Sequence, residues 1–164
     1  MSERWTRLED AARSRFGEVL GEMREFRGER TWMVEPGSLI ELLKWLRDES
    51  EPRFSILSDI SSVDGLKLGW EPRFRVSYHL LAPLSAERLR VQAAAPDQGE
   101  GPVLPTATGL FDSADWDERE VWDLMGIRFE GHPDLRRILL HEDYEHGHPL
   151  QKQVPVRGVD DDNR

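Results

Sequence analysis

The chain has 164 residues, of which 38% are hydrophobic and 33% charged, a size and balance typical of one soluble domain with a single core. It contains no cysteine, which excludes disulfides, Cys-ligated iron–sulfur clusters, sulfur-held zinc and cysteine nucleophiles. Its 32 acidic and 22 basic side chains give a net charge of −10, which repels nucleic acid and anionic membrane surfaces. No stretch approaches the ~18 apolar residues of a membrane span. We therefore expect a cytoplasmic chain, and these observations leave open that a partner holds it at a membrane.

Two helices are predicted near the start of the chain. Apolar residues recur at helical spacing over residues 5–23 and predict an amphipathic first helix. A short extended piece is expected over residues 31–34. Ser38 and Glu41 have the spacing of a capping box and predict a second helix that ends before Pro52.

The next segment changes to the alternation of a strand. Phe54, Ile56 and Ile60 recur at even spacing and are expected on one face of a first strand. A turn is expected over residues 63–65.

Two further strands are predicted by the same alternation. Residues 73–80 and 88–93 alternate apolar and polar side chains, which is typical of a meander with one face in water. His79 lies on that wet face. Residues 94–109 are rich in Pro, Gly and Thr and predict a loop.

A third helix and an irregular end complete the chain. The helix is expected to start at Asp115 and to end at Gly126. Beyond it, glycines and prolines interrupt the sequence, so we expect either an arm laid on a partner or a flexible tail. This divides the chain into a domain over residues 1–126 and an arm over residues 127–164, which ends in an acidic run at 160–162.

The third helix carries a dense acidic cluster. Glu118, Glu120 and Asp123 lie within six residues, and paired carboxylates can serve acid–base chemistry. A second interpretation is that Glu118 caps the start of the helix while Arg119 pairs with Asp123 one turn on.

A histidine cluster follows in the arm. His141, His146 and His148 stand among three carboxylates within eight residues, which raises the hypothesis of a stand-alone metal-dependent hydrolase. The spacing differs from the helical zinc motif, and the glycine and proline here predict a loop. His132 precedes Pro133 and is expected to make a turn-stabilising or interface hydrogen bond. We predict no catalytic residue, because the sequence has neither a nucleophile–base arrangement nor a dinucleotide fingerprint.

The residues around the third helix carry a resemblance. The stretch EREVWDLMGI at 118–127, followed by His132 and Arg136, resembles the signature of the C-subunit, or 30-kDa, family of respiratory complex I. Similar stretches occur in the same order upstream, and GHPLQK at 147–152 resembles the family's terminal motif. The likeness covers roughly residues 54–155.

The resemblance implies a two-layer α+β fold, with helices packed on one face of a mainly antiparallel sheet and an extended C-terminal arm. It implies a subunit of a proton-translocating NADH:quinone oxidoreductase on the cytoplasmic side of the bacterial cell membrane. Such a subunit has no redox centre of its own, since NADH, FMN, iron–sulfur clusters and quinone bind to partner subunits. Its arm lies against the D subunit, near the cluster-bearing B subunit, and Glu118 and Arg119 hold the helix to the arm or to D. The implied interface consists of Glu118, Arg119, Glu120, Asp123, Gly126, His132, Arg136, Gly147, His148, Pro149, Leu150 and Lys152.

Five positions depart from the family's usual pattern, and the changes remove charge-assisted contacts from the arm. Related subunits also serve membrane-bound hydrogenases, so an equivalent subunit of such a complex is the alternative. The departures are Met125, His141, Gln151, Gln153 and Val154.

Overall fold

The computed structural model describes residues 3–97 and 99–155, so the acidic run at 160–162 lies outside the described residues. The elements are α1 (Glu3–Phe16), β1 (Leu20–Phe26), β2 (Glu29–Val34), α2 (Leu39–Asp48), β3 (Ile56–Asp64), β4 (Phe74–Ala82), β5 (Glu87–Ala95), β6 (Val103–Pro105), α3 (Ala114–Met125) and β7 (Arg128–Glu130). Five strands form one mixed sheet in the order β1-β2-β5-β4-β3, and β6 and β7 form a separate pair.

The large sheet is covered by helices on one face. β2 pairs with β5 in parallel, whereas every other neighbouring pair in this sheet is antiparallel. On β4 the residues Val76, Tyr78 and Leu80 are buried in the core together with apolar side chains of the three helices. Arg75 and His79 alternate with them and lie on the opposite face. The predicted two-layer α+β fold with a mainly antiparallel sheet is confirmed.

The first helix is shorter than the sequence predicts. It ends at Phe16, Gly17 follows with a φ of +57°, and residues 20–26 form β1. The helix expected up to Met23 is therefore wrong over its last turns. A bulge between Leu20 and Met23 puts both side chains towards the core, and this three-residue spacing is the one that a helix also produces.

Two further local predictions fail. Ser38 makes no capping hydrogen bond, because residues Pro36–Ser38 form a 3₁₀ turn before α2. A second bulge between Leu57 and Asp59 shifts the phase of β3. Ile56 is therefore 42% exposed, while Leu57 takes the buried position.

The third helix ends at Gly126 as predicted, since this glycine adopts a left-handed conformation with a φ of +74°. The parallel pair of β6 and β7 was not expected and joins the loop before α3 to the first residues after it. Beyond β7, the described chain up to residue 155 is irregular, as predicted. The domain boundary at residue 126 stays a prediction. No helix among residues 3–97 and 99–155 has the length and apolar character needed to cross a bilayer.

Candidate subunit interface at helix α3 and the C-terminal arm

The carboxylate of Asp123 is the centre of the contact between α3 and the arm, which in the described structure is residues 127–155. The side chain of Asp123 is fully buried. Its Oδ2 accepts hydrogen bonds from the backbone N–H groups of Ile138, Leu139 and Leu140 at 3.1, 2.9 and 2.9 Å. Its Oδ1 accepts from Arg137 Nη1 at 2.6 Å. Four donors from consecutive residues of the arm, 137–140, therefore meet one carboxylate.

The charge of Asp123 is stabilised by these donors. Burial acts to raise the pKa of the carboxyl, but the N–H groups of the arm and the guanidinium of Arg137 outweigh it and hold the pKa below its usual value. Asp123 is therefore a buried anion whose partners all come from the arm.

Two arginines complete this contact. Arg119 on α3 is buried and donates to the carbonyl oxygens of Arg136 and Arg137 at 3.2 and 3.3 Å. Arg137 donates in turn to the carbonyl of Tyr144 at 3.2 Å. The predicted pair between Arg119 and Asp123 is wrong, because both side chains reach across to the arm rather than along the helix. Arg119 instead holds the helix to the arm, which is one of the two attachments that the resemblance implies.

The arm also binds the C-terminal end of α3. The last carbonyls of a helix have no partner within it and must find donors elsewhere. Here the arm supplies three donors at 2.8–3.0 Å. The carbonyls of Asp123, Leu124 and Met125 accept, respectively, from His148 Nδ1, from the N–H of Leu150 and from Gln151 Nε2.

Gly126 lets the arm approach this closely. A Cβ at this position would lie 2.5 Å from Cδ2 of His148, well inside van der Waals contact. The left-handed backbone and the imidazole above it therefore both require glycine.

The end of the arm is tied to the large sheet. The side chain of Asp64, at the end of β3, is fully buried and accepts from the N–H of Lys152 at 2.7 Å and from Arg73 Nε at 2.7 Å. The hydrogen bonds and charge of Arg73 lower the pKa of Asp64 far below its usual range, although burial acts to raise it. The backbone N–H groups of Lys152 and Leu66 also donate to this carboxylate and act in the same direction as Arg73. Arg73 also donates to Gln153. Gln151 and Gln153 are two of the departures from the family pattern. The uncharged side chain of Gln151 donates to a backbone carbonyl, and that of Gln153 accepts from the charged Arg73, so neither forms an ion pair.

Glu118 has a different environment from Asp123. Its carboxylate is fully buried and accepts from the N–H of Ala107 at 2.6 Å and from Thr106 Oγ1 at 2.5 Å. Burial raises its pKa to about 7, and the charges of Asp115 and Asp117 act in the same direction, while the two hydrogen bonds oppose them. Glu118 therefore holds the loop after β6. It neither caps the start of α3 nor contacts the arm.

The three acids of the predicted cluster do not converge on one point. Glu118 and Asp123 bind different segments, and Glu120 is exposed. These three carboxylates are therefore not paired with one another.

The histidines have separate structural partners. The side chain of His132 is buried, its Nδ1 accepts from the N–H of Asp134 at 3.0 Å, and its Nε2 lies 3.1 Å from the carbonyl of Asp115. This geometry agrees with a turn-stabilising hydrogen bond. His141 and His146 are exposed. Within the described ranges, no group of three or more His, Cys, Asp or Glu residues is placed to hold a metal ion.

The remaining predicted residues lie on or near the outer surface of the arm. Arg136 makes an exposed ion pair with Asp134 at 2.8 Å. The carbonyl of Gly147 lies 3.5 Å from Arg137 Nη2, and Pro149 is half-buried. The structure thus brings Arg119, Asp123 and Gly126 of the signature against the arm, whereas Glu118 binds the loop after β6 and Glu120 is exposed. Sequence reasoning missed their partners, which are Asp64, Arg73, Thr106, Ala107 and Arg137.

Known proteins are similar to this chain in both sequence and fold. The family model for the respiratory-chain NADH dehydrogenase 30 Kd subunit matches residues 32–160. The chain belongs to this family. The resemblance in its sequence to the 30-kDa subunit family is thereby confirmed.

Relatives of the 30-kDa family match most of the chain. The NADH-quinone oxidoreductase C-subunit of Citrifermentans bemidjiense is 42% identical over 90% of this chain and 88% of its own length. The equivalent C-subunit of Brucella ovis is 44% identical over 89% of this chain and 69% of its own length.

Two solved structures share the fold of this 30-kDa family member. The trypsin-resistant fragment of Nqo5 is 30% identical, with a TM-score of 0.66 over 80% of this chain and 99% of the fragment. A chain of the archaeal membrane-bound sulfane sulfur reductase gives a TM-score of 0.77 over 94% of this chain and 87% of that chain, at 20% identity. The second likeness shows the fold alone.

Proposed function

We propose that this chain is a cofactor-free assembly subunit of a proton-translocating NADH:quinone oxidoreductase. Its arm docks to the D subunit, beside the cluster-bearing B subunit, in the peripheral module on the cytoplasmic side of the bacterial membrane. Membership of the 30-kDa family supports this complex, and the lack of cysteine agrees with redox centres that belong to partner subunits. NADH, FMN, iron–sulfur clusters and quinone then bind elsewhere in the assembly.

The observation that carries the docking proposal is the division of the arm into an inner polar side and an outer apolar side. The donors of the arm face α3, where they bind Asp123. Leu139 and Leu150 face outward and are 58% and 53% exposed. Exposed leucines on a segment that its own chain already orders are typical of a docking surface, because less conformational entropy is lost on binding.

Trp116 adds an aromatic anchor to this surface. It lies on α3, is 59% exposed and has the guanidinium of Arg119 5.2 Å from its ring centroid. Tryptophan dominates the energetics of many protein interfaces because it buries a large, rigid area. The same arginine that holds the arm thus also supports an exposed ring.

The test is co-purification of a tagged chain from host membranes, with NADH-driven quinone reduction as the activity. Leu139→Glu and Leu150→Glu are expected to lower the recovered D subunit at least about tenfold, the change that ~1.4 kcal/mol produces. Leu84→Glu is the matched control, because Leu84 is an exposed leucine too but lies in the turn between β4 and β5.

Two outcomes contradict the proposal. Unchanged recovery of D in both arm variants removes the docking surface. Recovery of hydrogenase-type subunits in place of flavin and iron–sulfur subunits would assign the chain to a related membrane-bound hydrogenase instead.

A further inference from the structure

A groove crosses the open face of the large sheet, on the side away from the helices. Its volume is about 410 Å³, within the range of sites that hold small ligands or short peptide segments. Side chains from the wet faces of the strands form its floor, and an indole from the turn before β4 forms one wall. The residues that carry the argument are Phe26, Thr31, Met33, Trp70, Arg75 and Gln92.

Arg75 stacks on an indole in this groove and has no carboxylate partner among residues 3–97 and 99–155. Its guanidinium lies 3.9 Å from the ring centroid of Trp70, and its Nε is buried with no hydrogen-bond partner among the described residues. The indole is itself fixed, because it packs so closely on Gly65 that a Cβ there would lie 2.5 Å from the ring. Stacking occupies the face of the guanidinium and leaves its in-plane donors for a planar acceptor.

The other charges of the groove are already neutralised. Arg24 donates to both oxygens of Glu22 at 3.2 and 3.0 Å, and Arg90 donates to Glu29 at 2.8 Å. Because Arg75 is not neutralised, the groove has a net charge of +1, although the whole chain has a net charge of −10.

A single carboxylate is the anion that fits these surroundings. The fork of a guanidinium matches its two oxygens, and its one negative charge balances the single positive charge of the groove, which a phosphate dianion would exceed. The apolar side chains of Phe26 and Met33 suit the side chains of a peptide beside the acid.

We propose that this groove binds a segment of a neighbouring subunit that presents an Asp or Glu side chain, flanked by apolar residues, to Arg75. It is a second docking surface, on the face of the sheet opposite to the helices that carry the arm. The inference rests on the proposed function in one respect only, namely that the chain works inside a larger complex. It does not depend on which partner the arm contacts.

Zero-length crosslinking in the purified complex tests this directly. The variant Arg75→Lys puts a primary amine where the guanidinium stands, and a carbodiimide joins that amine to a carboxylate in ion-pair contact. Mass spectrometry is expected to find a new amide from position 75 to an Asp or Glu of a neighbouring subunit. The native background is small, since the chain has lysines only at 44, 67 and 152.

Arg88→Lys is the matched control. Arg88 lies on β5, on the same open face of the sheet as Arg75 but outside this groove. The lysine amine at position 88 is therefore expected to give at least about tenfold less of the same product, a ratio equivalent to ~1.4 kcal/mol. In parallel, Arg75→Gln is expected to fold normally and to lower the retention of the linked subunit in a salt wash.

Each contrary outcome has a distinct meaning. A link from position 75 to a second copy or to a carboxylate of this same chain overturns the inference, and so does a recovered, active complex without any new link. If the wild-type chain recovers no neighbouring subunit at all, the proposed function fails and this inference fails with it.

Discussion

Two fully buried carboxylates lie five positions apart on α3 and behave in opposite ways. Asp123 meets a guanidinium and three backbone N–H groups, and its pKa is held below the usual value. Glu118 meets one N–H and one hydroxyl, without a cation among its described contacts, and burial raises its pKa to about 7. Burial by itself therefore does not decide the charge of an acid. The partner segment decides it, and for Asp123 that segment is the arm.

Removal of Asp123 should give the largest loss of stability. In Asp123→Ala, three N–H groups and a largely buried Arg137 lose their acceptor, and breaking a buried pair from one side costs about 3–5 kcal/mol. Urea unfolding of the purified chain measures this loss. Glu120→Ala on the same helix is the control, because Glu120 is exposed and its replacement should change stability by less than ~0.5 kcal/mol. Equal small effects for both variants would mean that the arm does not depend on this carboxylate.

The pH dependence of Glu118 should come next in size. Its folded pKa of about 7 exceeds the unfolded value of 4.5, so the folded state binds the proton more tightly and stability falls as pH rises through this window. One pKa unit corresponds to about 1.4 kcal/mol, so the fall attributable to Glu118 is up to roughly 3 kcal/mol between pH 4.5 and 7.

Glu118→Gln removes this titration and keeps an acceptor for Ala107. Its stability should therefore vary less with pH than that of the wild-type chain, as measured by urea unfolding at several pH values. Identical pH profiles would show that Glu118 titrates at its ordinary pKa.

A comparison of Gly126 with Gly147 separates the free-energy cost of a left-handed backbone from that of the contact with the arm. Gly126 and Gly147 have φ values of +74° and +75°, but only Gly126 has His148 above it, whereas a Cβ at Gly147 meets nothing within 4 Å. Alanine at either position should cost about 1–2 kcal/mol for the left-handed backbone. Thermal unfolding should show a greater loss for Gly126→Ala, and equal losses would deny that His148 packs there.

Adjacent arginines give the smallest expected effect. Arg137 pairs with buried Asp123, whereas Arg136 pairs with Asp134 at the surface, where both side chains are more than half exposed. Arg136→Ala should therefore change stability by less than about 1 kcal/mol. A loss in urea unfolding as large as that of Arg137→Ala would contradict this contrast.

The sequence predicts the parts of the fold that local periodicity encodes. The alternation of β4 and β5 and the left-handed end of α3 at Gly126 are visible in the order of residue types. β1 is hidden because its bulge imitates helical spacing, and β6 and β7 have only three residues each, too few to show any period.

The candidate site is predictable only in part, for a similar reason. The signature on α3 stands out by resemblance, but its partners lie far away in the sequence, as in the contact between Asp64 and Lys152, 88 residues apart. No local pattern records such a pair. The sequence offers one indirect signal for Arg137. It is a basic residue in the segment that follows α3, and the acid Asp123 of the signature needs a cation when it is buried.

If the arm is ordered by its own chain through Asp123, hydrogen exchange of the isolated chain will show that order. We expect the amides of Ile138, Leu139 and Leu140 to be protected in the wild-type chain and Asp123→Ala to abolish this protection. Their hydrogen bonds to Oδ2 of Asp123 are the reason. Exchange of these three amides at unprotected rates in the wild-type chain would instead show a mobile arm, the flexible tail that is one of the two alternatives left open by the sequence.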